Sequence, residues 1–242
     1  MQSANLTLRP LLRLALVLAL SLQSLALTAQ TDDGVDYRME IGGGVGGSFA
    51  LTDVNSKFYG NTGLAAGMTM RYILNPRMAL KAALDYGQVK GSTSGIKDFY
   101  PADPSVAGQG RLAYKVSGAV YNLSLMYELH FLPYGYAQGY QGFRRLVPYL
   151  QAGLGLGYAD EGKKVTASIP IGFGVKYKVA PRLNLGFEWR FHFTTSDKID
   201  GLEAPKGIKS SGFRNKDHFS FTMLTLTYDI SPRCPTCNKD YK

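Results

Sequence analysis

Histidine, cysteine and tryptophan are scarce in this sequence, which has three, two and one of them in 242 residues. The histidines show no metal-ligand spacing to one another, and neither a metal nor another cofactor is expected. Long apolar runs are also missing after residue 29, where nothing approaches the roughly twenty consecutive apolar residues that a membrane-spanning helix needs. The rest of the chain therefore either stays soluble or crosses a membrane as strands.

Acidic residues are absent from residues 1–29. This segment carries Arg9 and Arg13, then an apolar run of about fourteen residues that ends in Thr28 and Ala29. That order is typical of a secretory signal peptide, and the run is short for a membrane anchor, which needs about twenty residues. We predict a signal peptide over 1–29, a barrel over 30–231 and a periplasmic, cysteine-containing tail over 232–242.

The formal charge of +9 invites a nucleic-acid interpretation, but the basic residues do not form one stripe. Many of them lie in loops and turns or alternate within apolar segments, so nucleic acid is not an expected partner. For an exported chain, anionic lipid headgroups or lipopolysaccharide phosphates are the expected counterions.

Alternation of apolar with polar or small residues is the abundant feature. The clearest segment sets Leu183, Leu185, Phe187, Trp189, Phe191 and Phe193 against Asn184, Gly186, Glu188, Arg190, His192 and Thr194. Eight segments show this period of two, which is typical of strands with two unlike faces. In the eighth, Phe219 and Phe221 break the phase, which indicates a bulge. The pattern predicts an all-β fold, an eight-stranded antiparallel transmembrane β-barrel of the outer-membrane type and of OmpA- or OmpX-like size.

The connections differ in length. Residues 75–77 and 180–182 are tight turns, whereas 51–62, 88–113 and 195–216 are long polar loops, as in barrels with periplasmic turns and outer loops. An even strand count places both termini in the periplasm. A soluble β-sandwich or lipocalin-like barrel also alternates, but glycine on the polar face and tyrosine near segment ends favour the membrane barrel.

The polar face, if it points inward, fills the lumen with paired acids and bases instead of lining a pore, because an eight-stranded barrel has room only for side chains. The predicted lumen polar network consists of Arg38, Glu40, Arg71, Lys81, Asp85, Glu128, Glu188 and Arg190, and the same inward face carries Asn122, Gln151 and Lys176.

Two segments at the predicted periplasmic side stand out. The link over 132–146 is longer than a periplasmic turn and is the candidate docking surface, with Tyr134, Tyr136, Tyr140, Phe143, Arg144 and Arg145. Cys234 and Cys237 follow the last strand, in no redox or zinc context, and a short-range disulfide is expected in an oxidising compartment.

An enzymatic alternative depends on His192. The run from Phe191 to Ser196 loosely resembles the His-x-Ser element of the lipid A deacylase, but Thr194 occupies the serine position and no partner carboxylate can be assigned. A lumenal histidine is the simpler interpretation. We therefore predict that the protein is not an enzyme, with no catalytic, metal or cofactor-binding residue.

The C-terminal sixty or so residues resemble PorG-like outer-membrane barrels of Bacteroidetes. The resemblance lies in Gly186-Phe187-Glu188-Trp189-Arg190, in the loop from Thr194 to Gly201, in Asn215-Lys216-Asp217, and in Leu226-Thr227-Tyr228. The family's loop usually has adjacent acidic residues where this chain reads Ile199-Asp200-Gly201. The first half agrees only in strand rhythm.

The resemblance implies an outer-membrane component of the type IX secretion system that touches a periplasmic ring lipoprotein. The alternatives are a surface or adhesin-like barrel that works through the loops over 88–113 and 195–216, and a lipid A-modifying enzyme at His192. In each case the expected location is the outer membrane.

Overall fold

The computed structural model describes residues 37–52, 54–55, 57–92, 115–135, 142–197, 199–201 and 216–232. The predicted signal peptide, Cys234, Cys237, Tyr136 and Tyr140 lie outside these residues. The described strands are β1 (Tyr37–Leu51), β2 (Thr62–Asn75), β3 (Met78–Ser92), β4 (Lys115–His130), β5 (Leu146–Ala159), β6 (Lys164–Ala180), β7 (Leu183–Thr194) and β8 (His218–Pro232).

Each strand pairs antiparallel with its neighbours in sequence, and β1 pairs with β8 to close the barrel. The predicted all-β, eight-stranded antiparallel barrel is therefore confirmed. The strands run from 12 residues in β7 to 17 in β6, longer than the roughly ten that cross a bilayer.

The two faces of the wall have opposite chemistry, because side chains alternate between them. Large apolar side chains cover the outside, where Val45 is 67% exposed and Leu154 is 71% exposed. Charged side chains such as Lys81 and Glu128 are fully buried inside. A soluble barrel shows the reverse arrangement, so this is the architecture of a transmembrane barrel. Among the described residues, no helix is long and apolar enough to span a membrane.

The ends of the barrel differ in their connections. At what we call the short-turn end, two-residue turns join β2 to β3 and β6 to β7, and the link over 131–145 joins β4 to β5. The chain also enters β1 and leaves β8 there. The other end, the long-loop end, carries the connections 52–61, 93–114, 160–163 and 195–217.

The expectation of a bulge in β8 is wrong. Pairing runs without a register shift from His218 to Tyr228 along β7 and from His218 to Pro232 along β1. Phe219 and Phe221 simply point inward, each 1% exposed. An inward aromatic side chain looks like a phase break when the inner face is expected to be polar.

The predicted loop from residue 88 also begins later than expected. Strand β3 continues to Ser92 because Val89 and Gly91 keep the inward phase and are both buried. The wall is therefore taller on this side than the sequence indicated.

Glycines on β1 allow the barrel to close against β8. A Cβ atom on Gly42 would lie 2.0 Å from the carbonyl oxygen of Leu226, and one on Gly46 would lie 1.9 Å from that of Thr222. Both positions therefore exclude any other residue unless the backbones move apart.

Candidate functional site

The half of the lumen nearer the short-turn end is filled by a charged network. It contains equal numbers of bases and acids, so the interior is neutral as a whole. The bases are Arg71, Lys81, Lys176, Lys178 and Arg190, and the acids are Glu40, Asp85, Glu128, Glu188 and Asp229.

Arg71 is the centre of this network. Its Nε atom lies 2.9 Å from Glu128 Oε1, its Nη1 atom lies 3.3 Å from Glu40 Oε2, and its Nη2 atom lies 3.6 Å from Glu188 Oε2. Lys81 bridges Glu188 and Glu128 on the facing side. Because a buried charge is tolerated only when it is paired and hydrogen-bonded, these contacts depend on one another.

Arg190 joins the network on the side nearer the long-loop end. Its two Nη atoms donate to the two oxygens of Asp85 at 2.7 and 2.8 Å, the bidentate geometry that a guanidinium group favours. It also lies 3.3 Å from Glu188. The network therefore spans the lumen from β3 to β7 without a gap between charges.

Glycines on the inner wall give the large side chains their space. A Cβ atom on Gly174 would lie 2.5 Å from the ring of Tyr149, and one on Gly87 would lie 2.4 Å from the ring of Phe221. Tyr149 in turn donates to Glu188 Oε2 at 3.0 Å. In the described part of the barrel, large side chains therefore occupy the middle of the lumen.

Tyr134 closes the lumen at the short-turn end. It is 9% exposed, and its hydroxyl donates to Asn184 Oδ1 at 2.7 Å. The Nζ atom of Lys176 lies 4.4 Å from the centre of its ring, a cation–π contact. Burial raises the pKa of the Tyr134 hydroxyl well above its usual range, with the carboxylates of Glu40 and Asp229 adding to the effect. The hydroxyl therefore stays protonated and remains a donor.

A folded platform surrounds Tyr134 on the outside of this closure. The backbone amide of Tyr134 donates to Pro76 O at 2.9 Å, and Tyr134 and Arg144 form a parallel β-bridge. The Arg144 amide donates to Pro133 O at 2.8 Å, and the ring of Phe143 packs against Gly135. We call the described residues 75–77, 131–135 and 142–145 the platform. It holds its shape through backbone hydrogen bonds between three segments.

The predicted docking residues are thus divided. Arg144 is exposed and Phe143 is half-buried. Tyr134 belongs to the closure of the lumen and does not contribute an exposed docking side chain. Arg145 is half-buried and donates to the carbonyl oxygens of Lys178 and Val179 at 2.9 and 2.8 Å.

The half of the lumen nearer the long-loop end is filled with apolar side chains instead. Phe219, Phe221 and Met223 from β8 form one buried cluster. Ile199, from the connection between β7 and β8, completes that cluster and donates its amide to Asp217 Oδ2 at 2.8 Å. The long-loop end is therefore sealed by hydrophobic packing.

His192 lies where the two halves meet. It is fully buried, stacks on Phe219 at 4.6 Å and meets the edge of Phe221 at 5.4 Å. Neither ring nitrogen has a hydrogen-bond partner. Thr194, which stands where the lipid A deacylase element has its serine, donates its hydroxyl to Asp217 O instead. The geometry brings no carboxylate to hydrogen-bond distance of the imidazole.

The predicted lumen residues are almost all brought together. The exception is Arg38, which has the same inward alternation as Glu40 but is exposed at the start of β1. Sequence reasoning did not include Lys178 and Asp229 in its network, although both lie on the inward phase of their strands and pair with each other. It also missed the inward Tyr134, for which the sequence carries no periodic signal.

In the part of the chain that the structure describes, no three His, Cys, Asp or Glu side chains are grouped so that they could hold a metal ion. The charged lumen groups are instead matched to one another. The arrangement serves to stabilise and seal the barrel, and the accessible chemistry lies on its two rims.

Several solved barrels have a similar architecture. Neisserial surface protein A is 16% identical over 82% of this chain and 100% of that chain, with a TM-score of 0.45. The attachment invasion locus protein Ail of Yersinia pestis, in complex with the heparin analogue sucrose octasulfate, is 11% identical over 81% and 99%, with a TM-score of 0.44. The N-terminal β-barrel domain of Pseudomonas aeruginosa OprF is 14% identical over 81% and 99%, with a TM-score of 0.42.

At these identities the likeness concerns the fold alone. No curated protein matches the chain. The profile of the family described as "Domain of unknown function (DUF6089)" matches residues 14–239, and the chain belongs to that family.

Proposed function

We propose that this protein is a non-enzymatic outer-membrane barrel that docks a periplasmic partner. The observation that carries the proposal is the contrast between a lumen whose described side chains are buried and paired or packed and a folded platform outside it. A filled lumen gives solutes no path, whereas a platform held by backbone hydrogen bonds offers a partner a pre-organised surface.

The proposed orientation follows from the short-turn end. In outer-membrane barrels short turns lie in the periplasm and long loops outside. The platform and both chain ends would then face the periplasm, while the apolar wall contacts lipid and the lysines of the long-loop end face lipopolysaccharide. The predicted signal peptide is consistent with export by this route.

The resemblance to PorG-like barrels supplies the proposed process. For a barrel that anchors a periplasmic ring lipoprotein in type IX secretion, a hydrogen-bonded platform beside a lumen of buried, paired side chains supports such a role. The sealed position of His192 likewise supports a non-enzymatic role, because a lipid substrate has no path to its imidazole.

The test separates the platform from the barrel. Residues 131–145 are to be replaced by the short Asn75-Pro76-Arg77 type of turn, and, as a milder variant, Phe143→Ser is combined with Arg144→Ser so that Tyr134 is kept. We expect both variants to remain heat-modifiable in the outer-membrane fraction and to lose type IX cargo secretion and recovery of the ring lipoprotein. The matched control replaces residues 160–163 at the other end.

Retention of both secretion and lipoprotein recovery in the folded variants would exclude the docking role. Absence of heat-modifiable protein from the outer-membrane fraction in the unaltered chain would exclude the proposed location.

A second candidate function is favoured by the connection between β1 and β2. Phe58 and Tyr59 are 64% and 53% exposed there, and Phe49 packs beneath them with ring centroids 5.8 and 4.7 Å away. Exposed aromatic side chains at a loop are common in binding surfaces. A surface-binding barrel would lose its adhesion to host cells or matrix in a Phe58→Ser, Tyr59→Ser variant, and the platform variants would keep it.

A further inference from the structure

The basic residues outside the lumen are sorted by type between the two rims. Among the described residues, the short-turn rim carries only arginines outside the lumen, and the long-loop rim carries only lysines. The arginines are Arg38, Arg77, Arg144, Arg145 and Arg182, and the lysines are Lys57, Lys90, Lys115, Lys163, Lys164 and Lys216.

The acidic residues are sorted as well. At the short-turn end, the described acids are Glu40, Glu128 and Asp229, and all three are buried and paired with lumen bases. At the long-loop end, Asp160 and Glu161 are exposed and Asp197 is half-buried. Within the described residues, the short-turn rim therefore carries five arginines and no surface acid, whereas the long-loop rim carries six lysines and three surface acids.

Every connection at the short-turn end contributes to this positive rim. Arg77 lies in the turn between β2 and β3, Arg144 and Arg145 in the platform, and Arg182 in the turn between β6 and β7. Arg38 is the second residue of β1. Since these connections follow one another around the barrel, the arginines form a ring.

The ring is held by a rigid backbone. The amide of His130 donates to Arg77 O at 2.7 Å, and the amide of Gly135 donates to Arg144 O at 3.2 Å. Two members of the ring stack on tyrosines of the barrel wall. The guanidinium carbon of Arg145 lies 5.2 Å from the centre of the Tyr177 ring, and the guanidinium carbon of Arg182 lies 4.6 Å from the centre of the Tyr228 ring. The exposed members are Arg38, Arg77 and Arg144.

We propose that Arg38, Arg77 and Arg144 bind a segment rich in aspartate and glutamate on the docked periplasmic protein. This inference rests on the docking role proposed above and names the chemistry of the partner. Guanidinium groups are weakly hydrated and grip carboxylates with two parallel hydrogen bonds, as Arg190 does with Asp85 inside this barrel. A rim with unbalanced positive charge also steers an acidic partner during encounter.

The choice of a protein carboxylate over a lipid phosphate follows from position. The two arginines stacked on outer-wall tyrosines, Arg145 and Arg182, lie at the level of an aromatic belt, where headgroups are found. Arg77 and Arg144 are the exposed arginines of the platform, which surrounds Tyr134 at the closure of the lumen. The docking surface proposed above therefore carries them.

The test uses the full chain in nanodiscs of phosphatidylcholine, which leave both rims accessible. The probe is a fluorescent glutamate-rich peptide, with its glutamine counterpart as a charge control. We compare the unaltered protein, an Arg38→Gln, Arg77→Gln, Arg144→Gln variant, and a matched Lys57→Gln, Lys90→Gln, Lys163→Gln variant at the other rim. The readout is the dissociation constant at low and high salt.

We expect the arginine variant to weaken glutamate-peptide binding about tenfold, the lysine variant less than about twofold, and salt to remove most of the difference. Equal loss in the two variants, or equal binding of the glutamine peptide, would overturn the proposal. So would an arginine variant that retains the peptide but, in a second set of nanodiscs with added phosphatidylglycerol, loses that lipid in native mass spectrometry, because the ring would then be a lipid site.

A second experiment, recovery of the ring lipoprotein, distinguishes failure of this inference from failure of the docking role. If the unaltered barrel and the arginine variant recover the ring lipoprotein equally well, docking stands and the acidic-partner inference is wrong. If the unaltered barrel recovers none, the docking role fails first.

Discussion

The two halves of the lumen solve the same problem with opposite chemistry. Near the short turns, ten charged groups neutralise one another around Arg71. Near the long loops, Phe219, Phe221, Met223 and Ile199 pack as an ordinary hydrophobic core. Both halves are buried, but they should respond differently to substitution. The charged half depends on every partner being present, and the apolar half depends on filled volume.

The largest expected effect comes from Arg71→Met in the charged half. The change leaves Glu40, Glu128 and Glu188 short of a buried partner, and we expect a loss of about 3–5 kcal/mol in the free energy of unfolding. Urea titration in lipid vesicles, followed by fluorescence of the single tryptophan, Trp189, measures it. The control is Arg77→Met on the rim, with a change of about 0.5 kcal/mol or less. Equal losses in the two would show that the network is not a unit.

Phe221→Ala tests the apolar half. The ring touches those of His192 and Phe219, and its removal leaves a cavity that costs about 3 kcal/mol, the low end of the range for such truncations. The measurement is the same urea titration, and a loss below about 1 kcal/mol would contradict close packing in the apolar half.

His192→Phe, at the boundary of the two halves, should stabilise the barrel. Both ring nitrogens are buried without partners, and an aromatic ring of similar shape removes that cost, for a gain of about 1 kcal/mol. The thermal midpoint of the heat-modifiable band should rise. A lower midpoint would mean that the imidazole has a partner, and an altered lipid A profile in the His192→Ala variant would revive the enzymatic alternative.

The smallest effect is expected at the closure of the charged half. Tyr134→Phe removes the hydrogen bond to Asn184 and should cost about 0.5–1 kcal/mol. Because the pKa of the Tyr134 hydroxyl is raised on folding, its contribution is complete below the unfolded value of about 10 and is lost as the pH rises through the folded value. The stability difference between the unaltered protein and the variant should therefore shrink above about pH 10. A difference that stays constant into strong alkali would contradict this.

The sequence predicted the eight strands because alternation is a local property. It could not predict which acid pairs with which base, since Arg190 and Asp85 are 105 residues apart and their meeting depends on strand register around the whole barrel. Phe219 and Phe221 were misread because a half-apolar lumen breaks the simple rule of polar residues inside. Tyr134 was placed on the surface because a loop tyrosine beside arginines gives no periodic sign that it turns inward.

The glycines that β1 places against β8 have a consequence for assembly. The edges that meet there are the first and last strands of the barrel, so the ring can be completed only after the C-terminal strand has been delivered to the membrane. Until then both edges stay open to unwanted pairing. Gly42 and Gly46 lie so close to β8 that a Cβ atom at either position would clash with its backbone. A side chain there would hold the last strand away from the first and hinder the pairing that completes the barrel.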